Sequence, residues 1–247
     1  MIVTFQQTMK NPFFFCILAV FILLGSCSGK INGSLNEDGS ADLTIQAALE
    51  PRMAALIRSL SALSSTSGGQ GAKPIIDGPA IGRSLSSAPG IKSASFNNTN
   101  ATAIAGAISI SQVDTFLAIP AHQGRGRFIR YEPDERHLVI ELDRAWAPQM
   151  LALISPNVVD YLSILMAPVA TEEVLSQREY LALVRSVYGK AVADEIAVAR
   201  ITASITFPRP ISAIRGGVSS GNQAEFDIPL IDLLVLETPL KYEVSWK

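Results

Sequence analysis

Lys30–Leu49, KINGSLNEDGSADLTIQAAL, is the stretch on which the fold turns. Ala41, Leu43, Ile45, Ala47 and Leu49 alternate with Asp42, Thr44 and Gln46. A period of two sends successive side chains to opposite faces, so this is a half-buried strand with one apolar side. Before it, Asn36-Glu37-Asp38-Gly39 is turn chemistry with a glycine free to take a positive φ. Lys30–Leu35 then reads as the partner strand, and the stretch as a β-hairpin.

Working toward the C-terminus, Pro51 suits the first turn of a helix, and Met53, Leu56, Ile57, Leu60 and Leu63 follow on one face. A flexible Ser/Gly loop covers residues 64–73. Residues 77–88 predict a short helix capped by Asp77. Ile91–Phe96 and Ala101–Ser111 predict strands, the second with an alanine and serine face that invites close packing by a helix. Ser111-Gln112-Val113-Asp114 has the form of a capping box. Arg127–Glu132 and Arg136–Asp143 predict a second hairpin around Pro133-Asp134. Trp146–Arg200 reads as helical, with a capping box at Ser176-Gln177-Arg178-Glu179, a staple from Leu175 to Tyr180 and a left-handed stop at Gly189. A strand at Ile201–Phe207 follows. Ile211–Ile214 and Ala224–Ile228 flank a Gly-rich turn, and Pro229–Glu237 fits either a buried helix or a strand. Leu240, Tyr242, Val244 and Trp246 alternate with Lys241, Glu243 and Ser245 in a closing strand. Hairpins first, helices in the middle and strands last predict an α+β domain spanning 27–247. Its antiparallel sheet is built from the N-terminal and C-terminal hairpins and covered on one face by helices.

Upstream of the hairpin, Phe13–Leu24 (FFFCILAVFILL) is uncharged, and Lys10 is the one charged side chain before it. Twelve apolar residues fall short of the roughly 20 that span a bilayer and fit the apolar region of a signal peptide. The chain has two cysteines, Cys16 within that run and Cys27 just after it. Cleavage separates them, so the mature part carries neither a disulfide nor a thiolate metal site beyond Cys27. Leu24-Gly25-Ser26-Cys27 resembles a bacterial lipobox. The resemblance implies diacylglyceryl transfer to the Cys27 sulfur and cleavage between Ser26 and Cys27, so that residues 1–26 are lost. A thiolate is the strong side-chain nucleophile that such alkylation needs, and Gly25 and Ser26 are small enough for a peptidase cleft. Several acyl chains anchor stably where one binds only marginally. Ser28 lacks the aspartate that retains lipoproteins at the inner membrane in some bacteria, which leans toward the outer membrane.

The mature part, from Gly33-Ser34-Leu35 through Asp38-Gly39-Ser40-Ala41 and in its order of elements, resembles the LppM-like lipoprotein domain. That resemblance implies an α+β module on a bacterial membrane, and it brings no catalytic motif. A formal net charge of −2 with 20 basic and 22 acidic residues gives no field that would gather nucleic acid; Arg125, Arg127 and Arg130 are the only local basic cluster.

Candidate chemistry is sparse. Gly217-Val218-Ser219-Ser220-Gly221 matches G-x-S-x-G, but a nucleophile elbow needs a strand before it and a helix after it. Here Ala224–Ile228 predicts a returning strand, and His122 and His137 both precede Ser219. The same two histidines are metal-ligand candidates, His137 with Glu141 and Asp143 on its strand face, yet no compact ligand motif surrounds them. Glu172-Glu173 and Asp194-Glu195 are adjacent pairs that do not face each other on a helix. The apolar helices of 146–188 are candidates to line a cavity for an acyl chain. The expectation is a lipid-anchored envelope protein without catalytic, cofactor or metal residues. It binds an envelope protein or an apolar ligand; the alternatives are a serine hydrolase using Ser219 and a carrier of an apolar ligand.

Overall fold

Alternation along the strands has to be satisfied by pairing, and two sheets result. The computed structural model describes residues 27–64, 74–116, 129–146, 162–163 and 165–247. Within these, the large sheet has the order β3-β4-β2-β1-β7-β10-β9 and the small sheet β5-β6-β11-β8. The opening hairpin is β1 (Cys27–Leu35) and β2 (Ala41–Leu49), in register from Leu35↔Ala41 to Cys27↔Leu49. Its turn is closed by the Asn36 N–H on the Ser40 carbonyl at 2.8 Å, with Gly39 at φ +78°. The Asp38 carboxylate accepts from the Ser40 hydroxyl and amide, which holds its pKa below the usual value. Asp42, Thr44 and Gln46 are exposed and Ile45 is 1% exposed, as the alternation requires.

The large sheet is completed by β3 (Ile91–Asn100), β4 (Ala103–Ile110), β7 (Arg200–Thr206), β9 (Val218–Ser220) and β10 (Gln223–Pro229). Every pairing is antiparallel except β1 with β7, which is parallel. The small sheet consists of β5 (Ile129–Glu132), β6 (His137–Leu142), β8 (Ile211–Arg215) and β11 (Leu240–Trp246). Between β8 and β9 the chain changes sheets at Gly216-Gly217. Gly216 takes φ +78°, and a Cβ there would stand 2.7 Å from the Lys241 carbonyl oxygen, so no other residue fits this corner.

The helices are α1 (Pro51–Ser64), α2 (Gly78–Ser86), the single turns α3 (Val113–Phe116) and α4 (Pro168–Thr171), then α5 (Gln177–Tyr188), α6 (Lys190–Val198) and α7 (Leu230–Val235). Their apolar faces join the inner face of the large sheet in one core, where Met53, Leu85, Tyr180 and Ile196 are closed to solvent. The Ser176 hydroxyl accepts from the Glu179 amide and Glu179 reaches back to the Ser176 amide, the predicted capping box. Asp77 caps α2 through the Ala80 N–H at 2.9 Å. In trans, Glu195 of α6 accepts the Arg52 and Met53 amides at 3.1 and 3.0 Å, satisfying the open N-terminus of α1.

The α+β class stands as expected, and several details differ. The strands form two sheets, because β11 pairs with β6 and β8 and leaves the opening hairpin to β4 and β7. β1 already includes Cys27, three residues before the predicted strand start at Lys30. β3 runs on to Asn100, past the predicted end at Phe96. No capping box forms at Ser111: its hydroxyl bonds the Gly90 carbonyl, and the Asp114 carboxylate turns to its neighbour Thr115. The small residues that admit a helix are Gly78 and Gly82 of α2, buried against the backbone of β3, while the β4 alanine Ala107 is exposed. Trp146–Arg200 is not one helical block: Arg144–Trp146 is a short 3-10 turn, residues 172–176 are not helical, and Arg200 opens β7. Gly189 has φ +89° and ψ 162°, an extended glycine conformation in place of the left-handed helical one, and it joins α5 directly to α6. Pro229–Glu237 resolves into the buried helix α7. The leader 1–26, nearly all of the Ser/Gly loop, His122, Arg125 and Arg127 lie outside the described residues.

Candidate functional site: an apolar cavity between the sheets

The two sheets face one another across a cavity of about 290 Å³. Register explains its floor. Ile31 of β1, Ala203 of β7 and Phe226 of β10 stand in one row across the large sheet, and the middle residue of that row is a single methyl group. Leu43, Ile205 and Ile228 complete the floor, and Leu138, Ile140, Tyr242 and Val244 of the small sheet form the roof. Val113 and Phe116 of α3 and Leu233 of α7 also line it, with Ile201 and Leu142.

Aromatic contacts frame this space. Phe226 meets Tyr242 edge to face, with ring centroids 5.7 Å apart. Trp246 stacks on Tyr131 at 6.4 Å and packs against Phe207 at 5.1 Å. The polar side chains in the wall are Ser34 and the phenols of Tyr131 and Tyr242. Burial, reinforced by Asp232 and Asp227, pushes the Tyr242 pKa up to about 12. Burial, with Asp114 and Asp38, also raises that of Tyr131. Both phenols therefore keep their protons at neutral pH, and it is carbon that Ser34, Tyr131 and Tyr242 turn toward the space.

A cavity of this size has energetic weight. Lining atoms that face an unfilled apolar space lose the dispersion contacts they would make in a packed core. Engineered apolar cavities of about 150 Å³ take up benzene, and small-molecule pockets begin near 300 Å³. With about 30 Å³ per water-sized group, the space admits an aliphatic segment of about ten carbons.

The residues singled out by sequence lie elsewhere. Ser219 sits in β9 opposite Ala224, in a β9–β10 hairpin that turns at Gly221 with φ +62°. A strand follows it, where a nucleophile elbow has a helix. Glu141 pairs with Arg130 at 3.8 Å, so it does not join His137, whose neighbours are Glu132 and Glu135. Asp194 pairs with Lys190 and Arg185 on the helical surface, and Glu195 is the cap of α1. Cys27 heads β1, four residues and about 13 Å before the cavity residue Ile31. The cavity lies between sheets, and α4 and α5 of the predicted helical block contribute nothing to its wall. Tyr131, Phe207 and Phe226 escape the sequence reading. The inward alternation of Leu240, Tyr242 and Val244 is visible there, but which sheet it would face is not. Among the described residues no helix is long and apolar enough to cross a membrane.

No family model matches the chain, and no curated protein matches it. Among solved structures, the NMR structure of the Mycobacterium tuberculosis LppM folded domain is similar over 90% of this chain and 91% of that chain, at 9% identity and a TM-score of 0.37.

Proposed function

We propose that this protein is a lipid-anchored, non-catalytic binding module of a bacterial envelope, which takes an aliphatic ligand between its two sheets. The cavity of about 290 Å³ with its apolar wall is the observation that carries the ligand. Leu24-Gly25-Ser26-Cys27 after a short apolar leader supports the anchor. β1 starts at Cys27, so a lipid on that sulfur holds the cavity within about 13 Å of the attachment point along the strand. A ligand leaving or entering the bilayer surface then has a short path. Tyr131 and Tyr242 add aromatic carbon to the cavity wall, which suits a purely aliphatic chain.

Two measurements separate anchor from ligand. Radiolabelled palmitate enters the wild type and not Cys27→Ala; equal labelling of both overturns the anchor. For the ligand, the Cys27→Ala protein is secreted behind a non-lipoprotein leader and weighed by native mass spectrometry. A bound aliphatic compound is expected, and it is absent from Ala203→Phe, whose ring occupies the floor of the cavity. Protein that is empty in repeated preparations, and that also binds no added long-chain alcohol or acylglycerol, overturns the ligand.

A further inference from the structure

We propose that the tip of the β5–β6 hairpin binds a divalent transition-metal ion, with Zn²⁺ as the probe, through Glu132, Glu135 and His137. The ligating atoms of these three side chains lie within 4.8 Å of one another. The His137 Nδ1 already stands 3.4 Å from a Glu132 carboxylate oxygen. Three donors around one zinc at about 2.0–2.2 Å are separated by roughly 3.3–3.6 Å. The site therefore has to close by little more than an ångström. Glu135 is exposed and has three side-chain torsions to supply that movement, while Glu132 and His137 are half-buried on paired strand ends and hold position.

The hairpin presets the arrangement. Glu132 and His137 are cross-strand partners at the last pair of the ladder. Between them the Arg136 amide bonds the Pro133 carbonyl at 3.1 Å, with Arg136 at φ +53°. The Arg136 carbonyl in turn accepts the Trp246 N–H at 3.1 Å, tying the tip to β11.

The electrostatics favour a cation. Neighbouring charges on the same sheet face are matched: Arg130 with Glu141, and Lys241 and Arg215 with Glu243. Among the described residues, Glu132 has only His137 as an ion-pair partner and Glu135 has none. Two carboxylates around one imidazole ring leave a local excess of negative charge that a dication offsets. An imidazole in the set prefers zinc and its transition-metal neighbours, whereas Ca²⁺ and Mg²⁺ favour all-oxygen shells. The cluster is separate from the cavity: Tyr131 and Leu138 point into the wall, while Glu132 and His137 alternate to the opposite face of the small sheet.

The test is calorimetric titration of the tag-free full chain in detergent with Zn²⁺, alongside Co²⁺ titration followed by visible absorption. One saturable site per chain is expected. His137→Ala and Glu135→Gln are each expected to weaken it at least tenfold, as loss of groups in a metal's shell commonly does. Glu141→Gln, on the same face but paired with Arg130, leaves it unchanged. Circular dichroism of each variant separates loss of the site from loss of the fold, and Glu135→Gln, at an exposed turn position, retains the fold. Absence of saturable binding, retention of full affinity in His137→Ala, loss only in His122→Ala, or equal competition by Ca²⁺ would each overturn the proposal.

Discussion

The two halves of the large sheet are built from the same kinds of residue and pack differently. In the half made of β2, β4 and β3, Ile45, Ile104 and Ile108 are 1–2% exposed, closed over in the helix-bearing core. In the half made of β1, β7 and β10, Ile31, Ile205 and Phe226 face the small sheet, stay only half-buried and line the cavity. Helices bring side chains of any length and direction onto a sheet, so they fill gaps. A second sheet meets the first as a pleated surface of fixed spacing, and where its partner offers Ala203, nothing reaches across. The difference sets close packing toward β3 and room for a ligand toward β7 and β10, with Leu43 of β2 and Ile110 of β4 at the border.

The largest effect should come from breaking the packed half. Ile45→Ala removes a fully buried side chain from the centre of the core and is expected to cost about 2–5 kcal/mol in urea unfolding. Ala203→Phe, in the row between Ile31 and Phe226, adds a ring on the cavity side. In a packed core such a change costs about 1–3 kcal/mol; here the expected melting temperature is unchanged or higher. A loss from Ala203→Phe as large as that from Ile45→Ala would erase the distinction between the halves.

Next in size is Arg144, which braces the helical end of the molecule. Its Nε donates to the Val235 and Leu236 carbonyls at 3.1 and 3.0 Å, and its Nη2 to the Leu175 carbonyl at 2.5 Å. Leu236 takes φ +46° at the end of α7, so these carbonyls are the open ones of a helix terminus. Arg144→Ala is expected to cost about 3 kcal/mol, in the range for hydrogen bonds to a charged group. Arg144→Lys recovers only part of this, lacking the planar fork. Because α7 carries Leu233 into the wall of the cavity, ligand binding should weaken in Arg144→Ala as well.

Much of this was legible along the chain, and the reasons are local. The alternation at Ala41–Leu49, the Asn36–Gly39 turn, the Asp77 cap and the Ser176–Glu179 box all act within a few residues, and each formed where expected. What the sequence hid was pairing between distant segments. Nothing in Leu240–Trp246 says that it joins β6 and β8, so the second sheet and the cavity beneath it were invisible. Glu195 reads as half of an acidic pair, while its role as the cap of α1 depends on a partner 143 positions away. Glu195→Ala should cost about 1 kcal/mol, as for loss of an N-cap, with Glu195→Gln retaining part of it. Measured beside Asp194→Ala, whose ion pairs are on the surface, it separates the two members of that acidic pair.

The smallest effect concerns the cavity wall and alkaline pH. The Tyr242 pKa is raised to about 12, chiefly by burial and further by Asp232 and Asp227, against about 10 in an unfolded chain. The folded state therefore holds the phenol proton more tightly. The stability this contributes is fully present below pH 10 and is lost as pH rises through about 12, because the unfolded chain releases its proton first. Tyr131 acts in the same direction, its pKa raised by burial and by Asp114 and Asp38. Urea midpoints measured between pH 9 and pH 12 should fall, and fall less steeply in Tyr242→Phe. An aliphatic ligand that seals the phenol from water should move the onset to higher pH, and Ala203→Phe should not bring it lower. A slope identical in Tyr242→Phe and wild type would mean that this phenol faces solvent, and that the side of the large sheet opposite the small one is as open as its outer face.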